Sequence, residues 1–246
     1  MAKKLLLLLI TLTSLTVHGQ VILIDPGHGG EDCGASTVLD KKQKICEKDI
    51  ALTISQRIQK KLSPHFKVYL TRSIDRDLSL HDRARQADLV KADVFISVHI
   101  NSSAHVRSHG FETFYLNNHQ NAAVKRIEEI ENRDSTGEMT IVDKILTDLV
   151  IERTAPRSKR LAELIHSEIS TRVQKPFKIN DRGVKPALFF VLALTKRPAI
   201  LLEAGFISND KEVHKVLAED FQEAYADGVV KGLIEYFKQA PPPPLF

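Results

Sequence analysis

Short apolar runs alternate with amphipathic stretches along most of this chain, the pattern of strands interleaved with helices around a largely parallel sheet. "VILI" at Val21 to Ile24 reads as a first strand, followed by "FKVYL", "DVFISVHI", "GFETFYL" and "PAILLEAGF". Between the first two, Ile50, Ile54, Ile58 and Leu62 recur every four residues, the spacing of one buried helix face, until Ser63 and Pro64 stop it. "SLHDRARQADLVKA" and "SKRLAELIHSEIS" read as further helices. Asp210 to Phe237 reads as one closing helix, with Val213, Val216, Leu217, Phe221 and Tyr225 on one side. "ALFFVLAL" is apolar enough to be helix or strand. The fold class is α/β: a single domain with a mostly parallel mixed sheet flanked by helices.

The segment from Leu116 to Pro156 is too long for an ordinary connection. Val124, Ile127 and Ile130 make one apolar stripe. After a break at Ser135 and Gly137, Ile141, Ile145 and Leu149 make another, flanked by Val142, Leu146 and Val150. Two helices inserted at about residues 117–155 are the economical interpretation.

The start of the chain changes this picture. Lys3 and Lys4 precede an apolar stretch, Leu5 to Val17, that is short for a bilayer span, and Val17 and Gly19 are small enough to flank a cleavage site. Residues 1–19 therefore read as a signal peptide and 20–239 as the mature domain, with no stable membrane anchor after cleavage; the alternative is an uncleaved anchor. Residues 240–246 are a proline-rich tail. Losing the two lysines takes the formal charge from +4 to +2. So balanced a surface, with four Tyr and no Trp, offers nothing for nucleic acid. Export would place Cys33 and Cys46 where a disulfide can form, although free or buried thiols fit the spacing equally well.

In open α/β sheets ligands gather where strands end. "VILI" runs into Asp25, Pro26, Gly27 and His28; "DVFISV" runs into His99 and Asn101; "PAILL" runs into Glu203. Glu47 opens the first helix, where the helix dipole favours a carboxylate. Each has a bland reading: His28 as a turn residue or part of an anion-binding loop, His99 as a core histidine, Glu47 as a helix-start acid. Together they compose a catalytic zinc site, with His28, Glu47 and His99 as ligands and Glu203 as the base that takes a proton from water. A charge at Glu203 in so apolar a strand is costly unless something there uses it. His65, His81, His105, His109, His119, His166 and His214 lie in polar stretches and read as surface residues.

"IDPGHGG", "EKDIAL", "VYLTRSIDRDLSLHDRARQAD", "FISVHINSS", "GFETFYL" and "FVLALTKRPAILLEAGFISN", in this order, resemble the zinc-dependent N-acetylmuramoyl-L-alanine amidases of bacterial cell-wall turnover. The resemblance implies that His28, Glu47 and His99 bind one Zn2+ and that Glu203 is the base. The implied reaction is hydrolysis, in peptidoglycan, of the amide between the lactyl group of N-acetylmuramic acid and L-alanine. Asn101 would contribute a hydrogen bond to substrate. "IENRDSTGEMTIVDKILTDL" looks like the segment that, in the division-associated branch, covers the site until an activator protein moves it. Glu131 is then the residue expected to occupy the open metal position, with Glu128 in reserve. The implied location is the periplasm or another exported compartment. A zinc carboxypeptidase-like peptidase and a catalytically silent peptidoglycan-binding protein are the competing readings.

Overall fold

The computed structural model describes residues 19–39, 43–133 and 141–239, with the backbone alone for 141–143. The expected signal peptide, apart from Gly19, and the proline-rich tail lie outside the described residues. In chain order the elements are β1 (Val21–Pro26), β2 (Ser36–Leu39), β3 (Gln43–Cys46), α1 (Glu47–Leu62), β4 (Lys67–Leu70), α2 (Leu80–Leu89), β5 (Val94–Asn101), β6 (Phe111–Leu116), α3 (Ala122–Glu131), α4 (Ile141–Phe177), β7 (Asp181–Ala187), α5 (Phe190–Thr195), β8 (Ala199–Phe206), α6 (Asp210–Leu217) and α7 (Glu219–Lys238).

Six strands form one sheet in the order β4-β1-β5-β8-β6-β7. Every neighbouring pair is parallel except β6 with β8. The expected α/β architecture, a mostly parallel mixed sheet flanked by helices, is therefore present. Strands β5 and β8 are buried along their whole length, which is why they read as continuous apolar runs instead of alternating ones. On one face Ile22, Ile24, Ile96 and Leu202 pack with Ile54 and Ile58 of α1, Ile165 and Ile169 of α4, and Phe221 and Tyr225 of α7. On the other, Leu23, Phe95 and Leu201 pack with Ala87 of α2, Val124 of α3 and Leu192 of α5.

Several local expectations are corrected. The second inserted helix and "SKRLAELIHSEIS" are one helix, α4, which runs through Pro156. A proline inside a helix removes one backbone donor, yet the apolar stripe passes through it without losing phase. Ile151 and Ala155 enter the core on the α5 face, and Leu161, Ile165, Ile169 and Val173 enter the core on the α7 face. Where the stripe changes cores, Ser158 Oγ accepts a hydrogen bond from the Ala199 amide at the start of β8 (3.1 Å). The closing helix breaks at Ala218, whose extended backbone (φ −68°, ψ 136°) separates α6 from α7. "ALFFVLAL" divides between the end of β7 and α5, and the polar β7 was not evident in the pattern. The β2–β3 hairpin was also not foreseen; it returns the chain to Cys46, which is disulfide-bonded to Cys33.

His166 and His119 are not surface residues. His166 Nδ1 is 2.9 Å from Thr113 Oγ1 and its Nε2 is 2.7 Å from Asp181 Oδ1, which joins α4 to β6 and β7; Ser170 Oγ donates to the second Asp181 oxygen. His119 Nε2 pairs with Glu128 Oε1 at 2.6 Å. Among the described residues no helix is long and apolar enough to cross a membrane.

Helices α4 and α7 approach so closely that glycine is required between them. A Cβ at Gly232 would stand 2.4 Å from the Ile165 Cα, and one at Gly228 would stand 2.6 Å from the Ile169 Cα. Gly232→Ala gains about 1 kcal/mol of helix propensity, but backbone overlap places its overpacking cost towards the upper end of about 1–3 kcal/mol. A net loss of about 1–2 kcal/mol is expected, seen as a lower urea midpoint with an unchanged slope; an unchanged or higher midpoint would refute this packing.

Candidate metal centre and catalytic site

The loop after β1 departs from the sheet under tight control. The Gly27 amide donates to Val98 O (3.0 Å), extending the pairing of β1 with β5, and His28 then takes a left-handed backbone (φ 56°). Glycine makes room around it: a Cβ at Gly27 would lie 2.5 Å from the His99 ring, and one at Gly34 would lie 2.5 Å from the His28 ring and 2.7 Å from Glu47 Oε2. Asp32 Oδ2 lies 2.6 Å from His28 Nδ1, and Asp32 Oδ1 accepts from the Gly34 amide. With its Nδ1 proton committed to Asp32, the imidazole presents Nε2 inward, the arrangement in which a carboxylate orients a ligating histidine.

Glu47 is the first residue of α1 and is 1% exposed. Its Oε1 accepts from the Ile100 amide (2.9 Å) and lies 3.0 Å from His99 Nδ1; its Oε2 accepts from the Ala35 amide (2.8 Å). Backbone bonds from Glu47 N to Ala35 O and from Lys48 N to Cys33 O, together with the Cys33–Cys46 disulfide, anchor the helix start to the His28 loop. His99 projects from β5, and its ring stands edge-on to that of His28 with centroids 4.9 Å apart. Glu131, at the end of α3, brings Oε2 to 2.9 Å from His99 Nδ1 and 3.5 Å from His28 Nε2.

One atom from each of His28, Glu47, His99 and Glu131 falls within a sphere of mutual separations below 4.8 Å. His28 Nε2 is buried and, among the described residues, has no hydrogen-bond partner, although Glu47 Oε2 is 3.2 Å away. The two atoms are near each other but do not point at each other. A buried ring nitrogen and a carboxylate oxygen that converge without a hydrogen bond between them fit a metal ion, and two imidazoles with carboxylates and no thiolate fit a catalytic zinc better than a structural one. The three expected ligands are thus brought together, and Glu131 stands where a fourth would.

Burial is the largest influence on both imidazoles and acts to lower their pKa, but neighbouring charge overrides it. The Glu47 charge and the Asp32 hydrogen bond lift His28 to about 10, and Glu131 and then Glu47 lift His99 to about 10. Burial, the largest single influence, would raise Glu47; the charges and hydrogen bonds of His28 and His99 together outweigh it and hold the carboxyl well below its usual range.

Glu203 sits beside His99 in the β5–β8 register and opposite Glu112 in β6, so all three side chains share one sheet face. It is 1% exposed, and neither carboxylate oxygen has a hydrogen-bond partner among the described residues. Burial first, then the charges of Glu131, Glu47 and Glu112, raise its pKa well above the ordinary value. A carboxyl so placed is a proton carrier in search of a base or an acid to serve.

Asn101, two residues beyond His99, is 4% exposed and gives its amide to Glu112 Oε1 (2.7 Å). Glu128 does not enter the metal cluster; it pairs with His119 and accepts from the Leu188 amide. Residues that sequence reasoning passed over complete the site: Asp32 behind His28, and Glu112 with its cationic partners Arg182 and Lys185. An acid inside the apolar run "GFETFYL" was the available signal for Glu112; Asp32 carried none, because its role depends on the turn of the loop.

A family model described as N-acetylmuramoyl-L-alanine amidase matches residues 22–235. The chain belongs to that family. It is 31% identical over 227 residues to the amidase AmiC of Escherichia coli O6:H1, covering 88% of this chain and 52% of AmiC. The solved N-acetylmuramoyl-L-alanine amidase of Clostridium difficile 630 is 30% identical and superposes with a TM-score of 0.69 over 90% of this chain and 98% of that one. The CwlD amidase of Clostridioides difficile, solved in complex with the GerS lipoprotein, is 26% identical with a TM-score of 0.68, over 90% of this chain and 100% of that one. The amidase family and the fold of its solved members are thus shared across nearly all of the described residues.

If His28 and His99 hold protons in the metal-free amidase domain, a metal must displace them. Ordinary histidines, with a pKa of about 6.5, would give an affinity that levels off above about pH 7; here the apparent affinity should keep rising between about pH 7 and 9, by tenfold or more per unit. Titration with Zn2+ in chelator buffers reads this directly, and a flat profile across that range would contradict the charge arrangement described.

Proposed function

We propose that this chain is a secreted zinc amidase that cleaves the bond between N-acetylmuramic acid and L-alanine in peptidoglycan. The observation that carries the proposal is the convergence of His28, Glu47 and His99 on one point, with Glu203 on the adjacent strand having no hydrogen-bond partner among the described residues. Family membership supports the substrate. A divalent ion bound by these side chains would supply Lewis acidity, polarising the amide carbonyl and lowering the pKa of a water towards about 7. Glu203 takes the proton from the attacking water and delivers it to the leaving amine of L-alanine. Asp32 fixes the His28 ring, and Asn101 keeps Glu112 in place beside Glu203.

We infer further that α3 holds the site shut. Its last residue, Glu131, lies where the substrate carbonyl or water would have to stand. The helix is fastened on both sides of Glu131, one turn before it by Glu128, which accepts from the Leu188 amide, and directly after it by the Asn132 side chain, which donates to Leu188 O (2.8 Å) and accepts from the Phe190 amide (2.8 Å). On α4, Ile145, Leu146 and Leu149 are each at least half exposed, an apolar patch suited to an activator protein. That a relative is solved with a lipoprotein partner supports such an interaction. Export, through cleavage of residues 1–19, places the enzyme in the periplasm or a comparable compartment with its polymeric substrate.

Two variants test these roles. Glu203→Gln should retain Zn2+ and lose about 10²–10⁴ in turnover, measured by mass analysis of material released from purified sacculi. Release of free stem peptides by the Glu131→Ala chain supports the amidase, whereas peptide-bond cleavage or binding alone by that folded variant refutes it. Glu131→Ala should raise basal activity by about tenfold, within the usual span of coupling between sites; a folded variant with unchanged or lower activity would remove Glu131 from the inhibitory role.

A further inference from the structure

Two buried arginines lie behind the metal centre without touching any of its ligating atoms. Arg72, just past β4, is 1% exposed, and Arg83 in α2 is 4% exposed. Arg72 donates through Nε to Pro26 O (3.0 Å) and through Nη2 to Gly27 O (2.7 Å) and Lys48 O (2.8 Å). Arg83 donates through Nη1 to Pro26 O and through Nη2 to His28 O, each at 2.8 Å. The successive carbonyls of Pro26, Gly27 and His28 therefore all end on guanidinium N–H groups. Asp25, whose Oδ1 is 2.8 Å from Arg83 Nη1, is the carboxylate facing this pair, and it is itself held by Thr71 and Ser97.

Two buried guanidiniums with one carboxylate in direct contact, and Asp75 and Asp49 acting on Arg72 from farther off, are an expensive way to stabilise a core, since each buried cation must be compensated. The arrangement makes sense for the backbone it serves. The chain leaves the sheet here, with His28 left-handed and Gly29 and Gly30 at positive φ, and the Pro26, Gly27 and His28 carbonyls that lead into this turn are met by guanidinium donors. Arginine's planar fork can satisfy several such carbonyls at fixed angles, which a lysine cannot do. Arg72 also reaches Lys48 O, in the residue after Glu47, and so spans the two segments that carry His28 and Glu47.

We propose that Arg72 and Arg83 are positioning residues that set the spacing between His28 and Glu47 and so determine metal affinity. This rests on the reading that those side chains hold a divalent ion, and the test separates the two ideas. Arg72→Lys and Arg83→Lys keep the charge and lose the fork. In the purified protein each should bind Zn2+ about 10–100-fold more weakly in competition with a chromophoric chelator, and each should shift the visible absorption of the Co2+-loaded form. In the metal-free protein, hydrogen exchange should accelerate at the amides of residues 27–30 while protection in α4 and α7 stays as it was. Folded variants with unaltered affinity, Co2+ spectrum and exchange would overturn the proposal. If neither lysine variant folds, Asp25→Asn carries the test: it removes the charge that anchors Arg83, and about a tenfold loss of affinity is expected, with no loss overturning the proposal. An unmodified protein that takes up no metal would refute the metal reading instead, and the exchange measurement would then decide the role of the arginines alone.

Discussion

Burial of the Glu47 carboxylate governs the rest of the structure. An ionised carboxylate that is 1% exposed survives only if its oxygens are engaged, and here they are met by the Ile100 and Ala35 amides and the His99 imidazole, with the His28 ring 3.2 Å away. Those contacts dictate where the His28 loop and the end of β5 lie relative to the first turn of α1. The Cys33–Cys46 bridge and the β2–β3 hairpin return the chain to that turn. The glycines at 27 and 34 are small because the rings fill the space that side chains would have occupied.

Charge is arranged around this point in an order that suits hydrolysis. Glu47 and Glu131 draw positive charge towards His28 and His99, so the cluster favours a cation, proton or metal, at its centre. Glu203 lies one strand away, with burial and three surrounding carboxylates keeping it protonated in the absence of such a cation. A divalent ion would reverse that balance, because positive charge beside Glu203 favours its ionised form. On the proposed function, the same field that would attract a metal would also prepare Glu203 as the base, and α3 brings in Glu131 as a further carboxylate beside His28 and His99.

Helix α4 joins a partly exposed apolar stretch to the packed core of the molecule. Its N-terminal part exposes Ile145, Leu146 and Leu149, while its C-terminal part is packed against α7 at glycine-to-backbone distance. Between them Ser158 ties it to the start of β8, the strand that carries Glu203.

What the sequence by itself determined is considerable: the apolar runs specify the sheet, because strands buried on both faces admit few polar residues, and His28, His99 and Glu203 stand out because each interrupts such a run at its end. Glu47 was legible as an acid opening an amphipathic helix. The tertiary structure decided what periodicity does not encode. Pro156 and Ala218 show that the residue type at a position does not by itself set a helix boundary: α4 continues through a proline, while an extended alanine separates α6 from α7 although both pack into the same core. The disulfide, the pairing of His166 with Asp181, and the engagement of Asn101 by Glu112 all depend on residues distant in the chain meeting at one place. So do Asp32, Arg72 and Arg83, whose partners are mostly ring nitrogens and carbonyl oxygens aimed by the fold, a directionality that only the folded backbone supplies.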